Sequence, residues 1–242
     1  MLAAAGWGLV GGAALVLGAG IGLVARPSQR VIALIMAFGA GVLISALTFE
    51  LTEEAFRRGG TVAVAAGLVA GALAFFAADW VIDRRGGAGR KRSGGEQADG
   101  SATAIVIGAL MDGIPESAAI GLTLLEGGGV GVAVVAAVFL SNMPESISAA
   151  VGLRRAGGRP SHILAMWVAV AAVSGLAAAL GYGLLDSASP VLVGAVQAFA
   201  AGAILTMLAD TMMPEAFEHG GGVVGLVTVA GFAAAYLLSA AS

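Results

Sequence analysis

Apolar stretches of about 20 residues recur along the whole chain, separated by short clusters of Pro, Gly and charge. That length is what a helix needs to cross the hydrocarbon core of a bilayer, and Pro/Gly/charge clusters are the usual breaks between such helices. The pattern predicts an all-α integral membrane protein with eight transmembrane helices, over 3–25, 30–52, 61–82, 103–125, 129–153, 161–185, 190–213 and 221–240. A transmembrane barrel would need segments of about 10 residues alternating in polarity, and the chain has none. The first stretch lacks a basic leader and a polar cleavage zone, so 3–25 reads as a retained span. The chain is expected to be a single transmembrane domain over 1–242, with one long polar connection, 83–102, expected to be a mobile cytoplasmic loop.

Composition agrees with the pattern. The chain is 59% hydrophobic and only 11% charged, against roughly 25% charged for soluble domains, and its mean hydropathy is +0.97. Its 39 glycines suit close helix packing in lipid, where small residues rather than apolar burial bring helices together. The absence of cysteine excludes disulfides and thiolate metal sites. No basic surface suited to nucleic acid is evident.

Lys and Arg placement sets an expected direction. With the N-terminus outside, the inner loops carry Arg26, Arg30, Arg84, Arg85, Arg90, Lys91, Arg92, Arg154, Arg155 and Arg159, against Arg57 and Arg58 outside. The positive-inside rule then puts both termini outside. Each basic run reads as an anchor with no further role.

Two internal repeats are present. Residues 39–60 align without gaps on 200–221, with 8 of 22 positions identical. Eight alternating spans would carry these copies in opposite directions, the inverted repeat of many transporters. The second repeat bears chemistry: Met111-Asp112-Gly113-Ile114-Pro115-Glu116-Ser117 is echoed by Leu140-Ser141-Asn142-Met143-Pro144-Glu145-Ser146.

A carboxylate at the bilayer centre costs at least ~2.5 kcal/mol and marks an ion or proton path. Asp112 and Glu116 are one helical turn apart on one face, as are Ser141 and Glu145, with Asn142 beside them. Like charges so close repel unless a cation or protons compensate, and every group here is an oxygen donor. Pro115 and Pro144 free the carbonyls of Met111 and Leu140, which in lipid must be satisfied or line a cavity. These residues are expected to bind a divalent cation. Glu50 and Asp210, deeper than the other acids of the repeat-related spans, are candidates for lining an entrance or exit. Glu53, Glu54, Glu215 and Glu218 read as solvated helix ends, and His162 and His219 as interfacial residues. Ser117, Ser146 and Ser148 read as packing hydroxyls, and Met111 and Met143 as core or cavity lining.

The pattern resembles the ZIP (Zrt/Irt-like) metal transporter family, over essentially the whole chain. The resemblance rests on Asp112–Ser117 and Ser141–Ser146 at the positions of the family's His-Asn-x-Pro-Glu-Gly motifs, and on the run Ala209–Glu215 ending in Pro-Glu. It implies eight spans, outer termini, and a variable loop between the third and fourth. It also implies that the first, fourth, fifth and sixth spans slide as a unit against the rest. This chain has Asp112, Gly113 and Ser141 where the family has His, Asn and His or Gln, and the sixth span has no acidic residue. One metal at a time is therefore expected, on Asp112, Glu116 and Glu145 with Ser141 in reserve and Asn142 as an outer partner. An all-oxygen set suits Mn²⁺ or Fe²⁺ better than zinc.

The expected activity is uptake of a divalent cation such as zinc, manganese or iron through the cell membrane by alternating access, with the ion as substrate. No enzymatic activity and no organic cofactor are expected. Partners are the ion and the lipid bilayer, with a homodimer open and nucleic acid not expected. The alternatives are a non-transporting, metal-sensing or structural member, and a proton-linked carrier of another solute.

Overall fold

The computed structural model describes residues 1–25, 27–88, 90, 92, 102–126 and 129–241. Among them every regular element is helical. The helices are α1 (Leu2–Ala25), α2 (Gln29–Ala46), α3 (Glu53–Ile82), α4 (Ala102–Thr123), α5 (Val132–Arg155), α6 (Pro160–Leu185), α7 (Pro190–Met207), α8 (Met213–Gly220) and α9 (Val224–Ala241). Six helical runs among the described residues are long and apolar enough to cross a membrane. The molecule is thus a helical multi-pass protein.

Two of those runs, Gln29–Gly87 and Pro190–Ala240, contain 59 and 51 residues. At 1.5 Å per residue the longer would reach about 88 Å if straight, nearly three times the hydrocarbon thickness. Both instead double back at a glycine. Gly60 has φ 70°, ψ −177° and Gly221 has φ 72°, ψ −162°, a region open to residues without a β-carbon. Before Gly60, Ala55 and Gly59 lie against Gly194 at the start of α7; after it, Gly67 and Gly71 run back along α7 to Ala198 and Ala203. Likewise Gly220 lies against Ala33 and Leu34, and α9 then follows α2 as far as the Glu50–Ser239 hydrogen bond. The breaks expected at 53–60 and 214–220 are accordingly later and sharper. Helix continues through both stretches because a π-helical segment, Leu47–Thr52 or Leu208–Met212, shifts the register without ending the ladder. Pro214 follows the second segment, but Glu53 holds the same place after the first, so proline is not the cause.

The internal repeat is visible in these features. Ser28 and Ser189 cap α2 and α7 by accepting from Val31 N at 3.4 Å and Leu192 N at 3.3 Å. Gly41 meets the Thr228 carbonyl of α9, and Gly202 meets that of Leu68 on α3. Ser28 and Ser189, and Gly41 and Gly202, like Gly60 and Gly221, keep the offset that aligns 39–60 with 200–221. The contacts run α2 parallel to α9 and α3 parallel to α7.

The helices pack as two groups. α1 lies between α5 and α6, and α6 also holds α4; in the other group α3 lies along α7 and α2 along α9, two pairs that meet through the π-helical segments. α2 against α5 and α4 against α7 join the groups. A core including Met36, Leu43, Ile120, Val138, Met207 and Met212 spans that junction. Of the expected loop 83–102, residues 83–87 are helical. Residues 89, 91 and 93–101 lie outside the described residues, as does Arg26.

Candidate functional site

Both Pro-Glu motifs lie inside continuous helices, Pro115 in α4 and Pro144 in α5. Four of the five motif residues proposed as ligands, Asp112, Glu116, Ser141 and Asn142, are no more than 2% exposed, and Glu145 is 6% exposed. A cavity of about 20 Å³ lies between α1, α4, α5 and α6, and Asp112, Asn142 and Glu145 line it with Arg90, Met166 and Trp167. That volume accommodates one water-sized occupant.

The α5 side is held by hydrogen bonds. Asn142 Nδ2 donates to the Gly11 carbonyl of α1 at 3.2 Å, which commits the amide nitrogen to α1. Ser146 Oγ donates to the Asn142 carbonyl at 2.9 Å, and at Gly18 of α1 a β-carbon would strike Ser146 Oγ and the Met143 carbonyl. The tight α1–α5 contact thus fixes the orientation of the motif. Ser141 Oγ donates to Val138 O at 3.0 Å and toward Glu116 Oε1 at 3.4 Å. Glu116 therefore meets α5 through Ser141, one turn along α4 from Asp112, and is not among the cavity's lining residues. The Leu140 carbonyl freed by Pro144 lies against Gly39 of α2, where a Cα–H is its neighbour. It borders the helix junction and not the cavity.

Arg90 was not expected here. It is 4% exposed, although it belongs to the segment that reads as an exposed anchor. Its Nε donates to Asp112 Oδ2 at 3.1 Å and its Nη2 to Asp112 Oδ1 at 3.3 Å. Nη1 reaches Asp83 Oδ1 at 3.2 Å, and Nη2 is also paired with Asp79 Oδ1. Burial works against the guanidinium charge, but Asp112 and Asp79 outweigh it and hold the Arg90 pKa above its ordinary value. A second cavity of about 60 Å³ is lined by Asp79, Asp83, Arg90, Arg92, Asp210 and Thr211. Arg90 is a wall of both cavities.

Asp210 thus joins an acidic vestibule next to the site. Glu50 does not: it bonds Ser239 on α9, beside the Phe49–Tyr236 ring contact. Glu215, read as a solvated helix end, is 1% exposed. The α8 helix packs on α2, and Arg92 lies 3.3 Å from the Glu215 carboxylate and pairs with Glu218. Glu215, Glu218 and His219 could together hold a metal ion, but Arg92 already lies among them. Residues that the motif reading missed are Arg90, Trp167, Asp79 and Asp83. Asp79 and Asp83 carried a usable signal: two carboxylates one turn apart at the end of the third apolar stretch.

Comparison with protein-family models and with curated proteins finds no match.

Proposed function

We propose that this chain is a membrane transporter for a divalent metal cation, similar in plan to the ZIP family. In this reading it has eight spans, the reversals at Gly60 and Gly221 splitting the two longest runs, with both termini on the outer side of the cell membrane. The observation that carries the reading is the cavity lined jointly by Asp112 of α4 and by Asn142 and Glu145 of α5. Carboxylates buried from two facing helices are costly in lipid without a cation to bind. Oxygen donors select hard or borderline ions, so Mn²⁺ and Fe²⁺ rank ahead of Zn²⁺. Movement would occur between the two helix groups, exposing the cavity to each side in turn.

A second reading has one observation behind it. Arg90 holds both carboxylate oxygens of Asp112, as it would in a non-transporting member whose guanidinium permanently replaces the ion.

Uptake of Mn²⁺, Fe²⁺, Zn²⁺, Co²⁺ and Cd²⁺ into proteoliposomes separates the two. Saturable flux is expected for at least one ion, falling at least about tenfold in Glu116→Ala and in Glu145→Ala, the scale on which metal sites respond to lost support. Undiminished flux in both variants would sink the site assignment. Absence of saturable flux for every ion would favour the second reading.

A further inference from the structure

We propose that Arg90 is a tethered cation that plugs the passage between the central cavity and the acidic vestibule, and that the cargo must displace it. The identity of the cargo rests on the metal-transport reading; the plug does not.

Three observations converge. Arg90 lines both cavities, so its side chain stands between them. Its guanidinium forks onto Asp112 through two nitrogens, the geometry of strong guanidinium–carboxylate recognition. Those two oxygens are the atoms that Asp112 would offer an ion, and a second cation placed on them would meet a like charge at close range. Finally, the site is shaped for this side chain: a β-carbon at Gly108 of α4 would collide with Arg90 Cδ and Nε. The Arg90 stem crosses α4 at the one residue type that leaves it room.

The carboxylates mark the route that opens when Arg90 leaves. Asp79 on α3, Asp83 just after it, Asp112 on α4 and Asp210 in the π-helical segment after α7 line the adjoining cavities. With the guanidinium in place their charges are partly answered and the passage is blocked. A divalent cation would exchange one positive charge for two on the same oxygens, a basis for favouring divalent over monovalent cargo.

The chain has no cysteine, so a single introduced thiol is an unambiguous reporter. Ala149 lines the central cavity and is 3% exposed. In the full-length protein in detergent, Ala149→Cys should react slowly with the cationic reagent 2-aminoethyl methanethiosulfonate. Adding Arg90→Gln should speed the reaction at least tenfold. Adding Gly108→Ala, which keeps the charge but evicts the side chain, should do the same. Ala235→Cys, buried on α9 and lining neither cavity, should stay slow in all backgrounds, which excludes general loosening. Equal rates at Ala149→Cys in every background would overturn the plug.

A calorimetric titration with MnCl₂ separates the cargo question. Arg90→Gln should bind Mn²⁺ at least tenfold more tightly than the parent, and Glu145→Gln should bind it less tightly. Binding that Glu145→Gln weakens but Arg90→Gln leaves unchanged would overturn the plug and keep the metal reading. Faster labelling with no Mn²⁺ binding to any form would keep the plug and sink Mn²⁺ as cargo.

Discussion

Gln197 illustrates what burial asks of a single side chain. It is completely buried on α7, and neither its Oε1 nor its Nε2 has a hydrogen-bond partner among the described residues. An unsatisfied buried amide costs about 1–3 kcal/mol. The related position in the other copy of the repeat is Met36, also fully buried. Gln197→Met should therefore stabilise the protein by about 1 kcal/mol, raising the melting temperature in detergent by roughly 2–4 °C. Intrinsic-fluorescence melting checks this, and a lower melting temperature would show that the amide has a partner that matters. The same scale shows what could be read from residues alone. Asp112, Asn142 and Glu145 were legible because Pro-Glu turns in apolar helices are expensive and rare. Arg90 was not, because an arginine among Arg84, Arg85, Lys91 and Arg92 looks like one more anchor. Only the Gly108 notch and three surrounding carboxylates single it out, and both depend on tertiary contact.

At the scale of the element, helix positions were readable from apolar length; the reversals fall at the far edge of the expected breaks, at Gly60 and Gly221, and their sharpness was not readable. Pattern reading puts breaks where polar residues gather, yet Glu53–Gly59 and Met213–Gly220 remain helical. The reversals depend on a backbone torsion that only glycine supplies cheaply. Nothing lies within 4 Å of a β-carbon at Gly60, at Gly221 or at the ordinary helical Gly6. Substitution by alanine thus tests conformation without collision. Gly60→Ala and Gly221→Ala should each destabilise by about 1–3 kcal/mol, while Gly6→Ala should be neutral or stabilise by up to about 1 kcal/mol. Thermal melting of the three variants decides it, and three equal results would mean the positive φ angles carry no cost.

For the whole molecule, the division into two helix groups makes a mechanical prediction that depends on the transport reading. Ile114 on α4 and Phe199 on α7 line one lateral cavity between the groups. Leu9 on α1 and Gly175 on α6 touch within a group. Joining Ile114→Cys to Phe199→Cys with a bis-methanethiosulfonate, which links the two thiols through reducible disulfides, should reduce metal flux at least about tenfold. Joining Leu9→Cys to Gly175→Cys should leave most of it. Proteoliposome flux before and after reductive release provides the measurement, and equal inhibition by both links would argue against relative movement of the groups. The two-group arrangement itself follows from small residues facing one another, a property spread over so many Gly and Ala positions that no local stretch announces it.

The parallel pairing of α2 with α9 and of α3 with α7 also bears on how the protein is made. Each copy of the repeat finds its partner in the other copy, with α4, α5 and α6 synthesised between them. At roughly 5–20 residues per second, the ribosome delivers the second copy some 8–30 s after the first. During that interval the Gly41 and Gly71 faces, shaped for the Thr228 and Phe199 carbonyls, have nothing to close on. In the membrane-transport reading the early helices wait as an open hairpin, and the newborn chain is most vulnerable to mispairing and quality control just before α9 arrives.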